Sequence, residues 1–174
     1  MFQKIKLSTV LLFSLLCAVG FAIPMTYFIY SANYQDTWWL FVGNFLFMIG
    51  IIIYMLLFTS RKNENPNTNL LLTAGHIVTV GGVILSCIIA FIVLMMFPTG
   101  IVSAGPAEQV MENTPAHADD GKTDGLVLFV YLTAIIGNVS AGSAVAIFMA
   151  YTTKKNQTKE KVISQVKVDT NLRS

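Results

Sequence analysis

Residues 70–97 read LLLTAGHIVTVGGVILSCIIAFIVLMMF, a run of 28 residues without Asp, Glu, Lys or Arg. As an α-helix rising about 1.5 Å per residue, it would extend about 42 Å, more than the ~30 Å hydrocarbon core of a bilayer. A helix on the surface of a soluble protein keeps a polar face for water; this run has none. Backbone polar groups in lipid are satisfied only in helices or closed barrels. Barrel strands alternate apolar and polar residues over about ten positions, and this run does not alternate.

Working outward, three more charge-free segments of spanning length occupy 7–30, 38–59 and 125–153. The 174-residue chain is 55% hydrophobic and 11% charged, where soluble domains carry about a quarter charged residues. The fold class expected is therefore an all-α membrane protein, a four-transmembrane-helix up-down bundle over 1–153. An outer loop at 98–124 and a basic tail at 154–174 complete it. Tyr27, Tyr30, Tyr34, Trp38 and Trp39 cluster about the first hairpin turn, where amphipathic rings favour the headgroup level. Pro66 and four Asn at 63–69 mark a turn.

Basic residues set the orientation. Lys4 and Lys6 precede the first segment, Arg61 and Lys62 follow the second, and six Lys and Arg lie beyond residue 153. These regions hold ten of the eleven basic residues, and Lys122 alone lies in the alternate loops. Retention of Lys and Arg in the cytoplasm places both termini inside, in a plasma membrane by default. The first apolar run continues past the small-residue stretch Gly20-Phe21-Ala22, so it is read as an uncleaved anchor rather than a signal peptide. Leu16 before Cys17 argues against a lipoprotein site.

Helices in lipid are held together by close contact and hydrogen bonds. Small residues recur at helical spacing in three segments: Ser14, Ala18, Ala22 and Thr26; Gly75, Thr79, Gly82 and Ser86; Ala134, Asn138, Gly142, Ala146 and Ala150. They are expected to pack helices, within one protomer or in a homo-oligomer. Asn44 and Asn138 are expected to act as interhelical glue. Pro24 removes a backbone donor and is expected to kink the first helix. Cys17 and Cys87 lie in separate apolar segments without a CxxC pattern, and read as small buried residues.

His76 is the one imidazole within a span, and intramembrane ionisable groups are functional candidates. It is the one candidate cofactor-binding residue, for haem or quinone. A haem normally needs a second axial ligand, and no other span carries a histidine. His76 also lies only six residues into its segment, where a bond to a neighbouring hydroxyl or backbone group would satisfy it. No cofactor is expected. In the outer loop His117, Asp119 and Asp120 are candidate metal ligands, against the plainer reading of a solvated acidic loop. Residues 116–123 match a relaxed phosphate-loop pattern, but Asp119 and Asp120 would repel phosphate and no strand precedes them. Residues 120–131 fall short of a calcium loop because Lys122 and Tyr131 occupy ligand positions.

The tail carries Val162, Ile163 and Val166 among basic residues that anionic lipid attracts. No basic face interleaved with aromatics points to nucleic acid. No catalytic constellation stands out. The reading is a non-enzymatic accessory or scaffold subunit whose partners are the lipid bilayer and other membrane subunits or further copies. The alternatives are a redox component using His76, and a small channel or transporter with a path along Asn44, Asn138, Ser140 and Ser143.

Overall fold

The structure, a computed structural model, describes residues 6–31, 33–60, 68–96 and 126–152. Four helices are long and apolar enough to cross a membrane: Leu7–Ser31, Tyr34–Thr59, Thr68–Met96 and Leu126–Thr152. We call Leu7–Ser31 α1, Trp38–Thr59 α2, Thr68–Met96 α3 and Leu126–Thr152 α4. A 3-10 turn, Tyr34–Thr37, leads into α2. α1 continues through the buried Pro24 without an interruption of the helix.

Local chemistry sets the ends. The Asn33 side chain accepts from the Gln35 N–H at 3.0 Å, and the Asp36 N–H donates to the Asn33 carbonyl at 3.0 Å. This Asx turn reverses the chain between α1 and α2. At the other end of α2 the Thr59 and Ser60 hydroxyls donate back to the Leu56 carbonyl at 2.9 and 2.8 Å. The Ser60 backbone N–H donates to the same carbonyl at 3.0 Å, so three donors converge on Leu56 where α2 ends. α3 starts at Thr68, two residues before the apolar run, and the Thr73 hydroxyl donates to the Asn69 carbonyl at 2.8 Å.

The helices approach through their small residues. A Cβ on Gly50 would lie 2.6 Å from Cys17 Sγ, and one on Gly43 2.9 Å from the Phe21 ring. Residue numbers fall along α1 as they rise along α2, so these two are antiparallel. Gly81 faces Ser14 and Gly82 faces Cys17, which sets α3 alongside α1 in the same direction. Gly75 faces Ala146 and Gly142 faces Thr79, so α4 runs against α3. Phe21, Phe28, Phe47, Tyr54 and Met55 fill the interior.

At one end of the bundle Tyr27 packs on Trp39 at 4.9 Å between ring centroids, and Trp39 stacks on Trp38 at 4.2 Å. Tyr34 meets Phe129 of α4 edge-on at 5.9 Å. The start of α4 therefore stands beside the α1–α2 turn. Only 33–39% of the most apolar stretch of each helix is buried. Leu7, Ile23, Phe41, Met96, Leu128 and Phe148 all face outward. An apolar surface this extensive is not one that a water-soluble monomer tolerates.

Candidate functional site

Three features carry chemistry or specificity: the glycine contacts between helices, the face of α3 bearing His76, and a buried polar level. The first is steric. A Cβ on Gly75 would lie 2.6 Å from the Ala146 Cβ and 3.3 Å from its Cα. One on Gly142 would lie 2.5 Å from both Cγ2 and Oγ1 of Thr79, and one on Gly82 2.8 Å from the Phe47 ring. Ala18 and Ala22 are buried. Ser14 is buried too, and its hydroxyl donates across the interface to the Val78 carbonyl of α3 at 3.2 Å. Thr79 donates instead to its own helix, to the Gly75 carbonyl at 2.9 Å, which fixes its rotamer against Gly142. Such contacts let backbones come close enough for dispersion to hold helices in lipid.

His76 lies on the outer side of α3. Its Nδ1 is 2.8 Å from the Leu72 carbonyl, which only a protonated Nδ1 can bond. The tautomer with Nδ1–H leaves Nε2 as an acceptor. The ring lines a shallow, open groove of about 480 Å³ with Leu72, Thr73, Ile77 and Val80. These five positions lie along one face of one helix, and Val80 is exposed. His76 is the one histidine among the described residues, so a six-coordinate haem here would need an axial ligand from elsewhere.

The third feature is a polar level inside the bundle. Asn138 is fully buried, and neither Oδ1 nor Nδ2 of its side chain has a hydrogen-bond partner among the described residues. The same holds for Ser86 Oγ, also fully buried, and for Asn44 Oδ1. Among the described residues the Asn138 amide makes no side-chain bond to a neighbouring helix. Helix register collects these groups. Asn44 packs on α4 beside Asn138, since a Cβ on Gly137 would lie 2.5 Å from Asn44 Nδ2. Phe47 at Gly82 and Met55 at Gly75 set α2 against α3, which brings Ser86 opposite residues 42–43, within a turn of Asn44. Thr79 at Gly142 sets α3 against α4, which brings Ser86 within a turn of Asn138. An unmet polar group in an apolar interior costs about 1–3 kcal/mol, so this level is the least comfortable part of the core.

Sequence reading missed the local cause of the arrangement. Thr133–Gly137 is a π-turn, and the Asn138 N–H reaches the Thr133 and Ile135 carbonyls rather than that of Ala134. The Thr133 hydroxyl donates to the Phe129 carbonyl, a back-bond that loosens a helix. A π-turn adds one residue to the helix and rotates the residues beyond it by about 100°. Here the α-helix resumes with Asn138, Gly142 and Ala146 lying inward. The only signals were Thr133 and Gly137 themselves.

Ser140 is exposed and Ser143 half-buried, so they do not continue the line of Asn44 and Asn138 into one interior path. Cys17 and Cys87 are free thiols. No group of three or more His, Cys, Asp or Glu side chains comes together among the described residues. His117, Asp119 and Asp120, the loop at 98–124 and the tail at 154–174 lie outside the described residues. No family model matches the chain, and no curated protein or solved structure matches it.

Proposed function

We propose that this chain is a small non-enzymatic subunit of a plasma-membrane complex, an up-down four-helix bundle with both termini in the cytoplasm. The observation that carries the reading is the outer face of α3. Most of the outward surface is apolar and suited to lipid, yet this face presents Thr73 and the acceptor nitrogen of His76 beside a groove. Lipid tails offer no hydrogen bond to an imidazole, whereas a helix of another subunit or a second copy does. Ten basic residues in the three regions assigned to the cytoplasm support the orientation.

The test is site-specific photocrosslinking in native membranes. A crosslinker replacing Thr73 or Val80 is expected to yield a discrete protein adduct that the same group at Ile23, on the outer side of α1, does not. Replacing His76 by Leu should weaken that adduct several-fold. Adducts with lipid alone from all three positions, together with a monodisperse, partnerless protein in mild detergent, would overturn the proposal.

A further inference from the structure

We propose that Asn44, Ser86 and Asn138 form a water-binding site in the middle of the bundle, holding one or two molecules that bridge α2, α3 and α4. Four side-chain atoms at this level lack partners among the described residues: Asn44 Oδ1, Ser86 Oγ, and Oδ1 and Nδ2 of Asn138. They supply acceptors and donors together, which is the pattern that a water molecule matches with two to four bonds. Buried waters are found where otherwise unsatisfied polar groups converge, and helix register brings these three residues within about one helical turn of one another along the bundle.

Charge and size select the ligand. α1–α4 contain no Asp, Glu, Lys or Arg, so an ion here would have no countercharge, and amide and hydroxyl groups alone do not offset the cost of stripping an ion of water. The walls are close. Asn44 already occupies the space where a Cβ of Gly137 would stand, and Phe47 that of Gly82. A solute larger than water would have to part the helices. The π-turn contributes by turning Asn138 inward, where a regular helix of the same sequence would turn it by about 100° to another side. The site is independent of the partner face on α3, and neither proposal depends on the other.

Water-edited solid-state NMR on the full chain in lipid bilayers tests this, with 15N-labelled asparagine and alanine. The probe is bulk and bound water itself. Magnetisation from water is expected to reach the side-chain amide of Asn138, and that of the half-buried Asn44, several-fold faster than the backbone amides of Ala18 and Ala146, which are as buried as Asn138 elsewhere in the bundle. Asn138→Leu should slow the transfer to Asn44 several-fold, and Ser86→Ala should slow transfer to both amides if the leucine variant does not fold. Transfer to the Asn138 amide no faster than to Ala18 and Ala146 in the unaltered protein would overturn the proposal. So would an Asn44 signal indifferent to both substitutions.

Discussion

Replacing Gly75 by Ala adds one methyl group at a close approach of α3 and α4. The new Cβ would stand 2.6 Å from the Ala146 Cβ and 3.3 Å from its Cα. Carbon atoms in favourable contact stand about 3.5–4.0 Å apart, so the helices must part by about 1 Å. Neither methyl has a rotamer with which to escape, and Met55 Sδ closes the third side at 3.2 Å. Overpacking of this kind costs about 1–3 kcal/mol, against about 1 kcal/mol recovered from the better helix propensity of Ala. The net expectation is a loss of up to about 2 kcal/mol. Gly20→Ala is the matched control, because its Cβ would meet Leu46 at 3.5 Å, an ordinary contact. That variant should be neutral or gain up to about 1 kcal/mol. The double variant Gly75→Ala with Ala146→Gly only moves the methyl from one helix to the other. It should recover most of the loss, a coupling that a double-mutant cycle measures. Reversible unfolding in bilayers or mixed micelles is the assay. Gly75→Ala as stable as Gly20→Ala, or a loss that Ala146→Gly does not relieve, would refute the packing argument.

Other parts of the molecule carry three further expectations. Ser14→Ala removes the bond to the Val78 carbonyl and should cost about 0.6–2 kcal/mol in the same unfolding assay, the range for hydrogen bonds between membrane helices. Deleting Ile136 takes one residue out of the π-turn and should leave α4 in register as a regular helix. Deleting Ala144 should turn the rest of α4 by about 100°, so its midpoint of thermal unfolding should fall well below that of the Ile136 deletion. Gly142→Ala should lower the midpoint as Gly75→Ala does, because Thr79 is held against it by its bond to the Gly75 carbonyl.

Legibility in the sequence divides along physical lines. Spanning is a property of composition and run length, so the four helices stand where unbroken apolar runs stand, within a few residues. Residues 34–37 and 68–69 join the helices despite their polarity, and at the first of these the Gln35 N–H donates to the Asn33 side chain, which holds the turn. Small residues four apart announce a groove on a helix but do not name the helix that fills it. Gly75 against Ala146 and Gly43 against Phe21 are facts of tertiary structure alone. The side that His76 faces was equally hidden, since a helix apolar on every side gives no amphipathic phase to read. For the same reason the extra residue of the π-turn left no visible slip in the pattern. Ser86 was visible only as one more small residue beside Gly82, and its place at the level of Asn44 and Asn138 depends on two helix registers that no local pattern encodes.

The central claim is that the four apolar helices thread a bilayer with both ends on the cytoplasmic side. Cysteine labelling on intact cells tests it most directly, in a protein whose own Cys17 and Cys87 are replaced by Ala. A membrane-impermeant maleimide should label Thr99→Cys on intact cells, and should reach Gln3→Cys and Ser174→Cys only after the membrane is opened. Labelling of either terminal cysteine on intact cells, or a protein that stays in solution without detergent, would contradict the account.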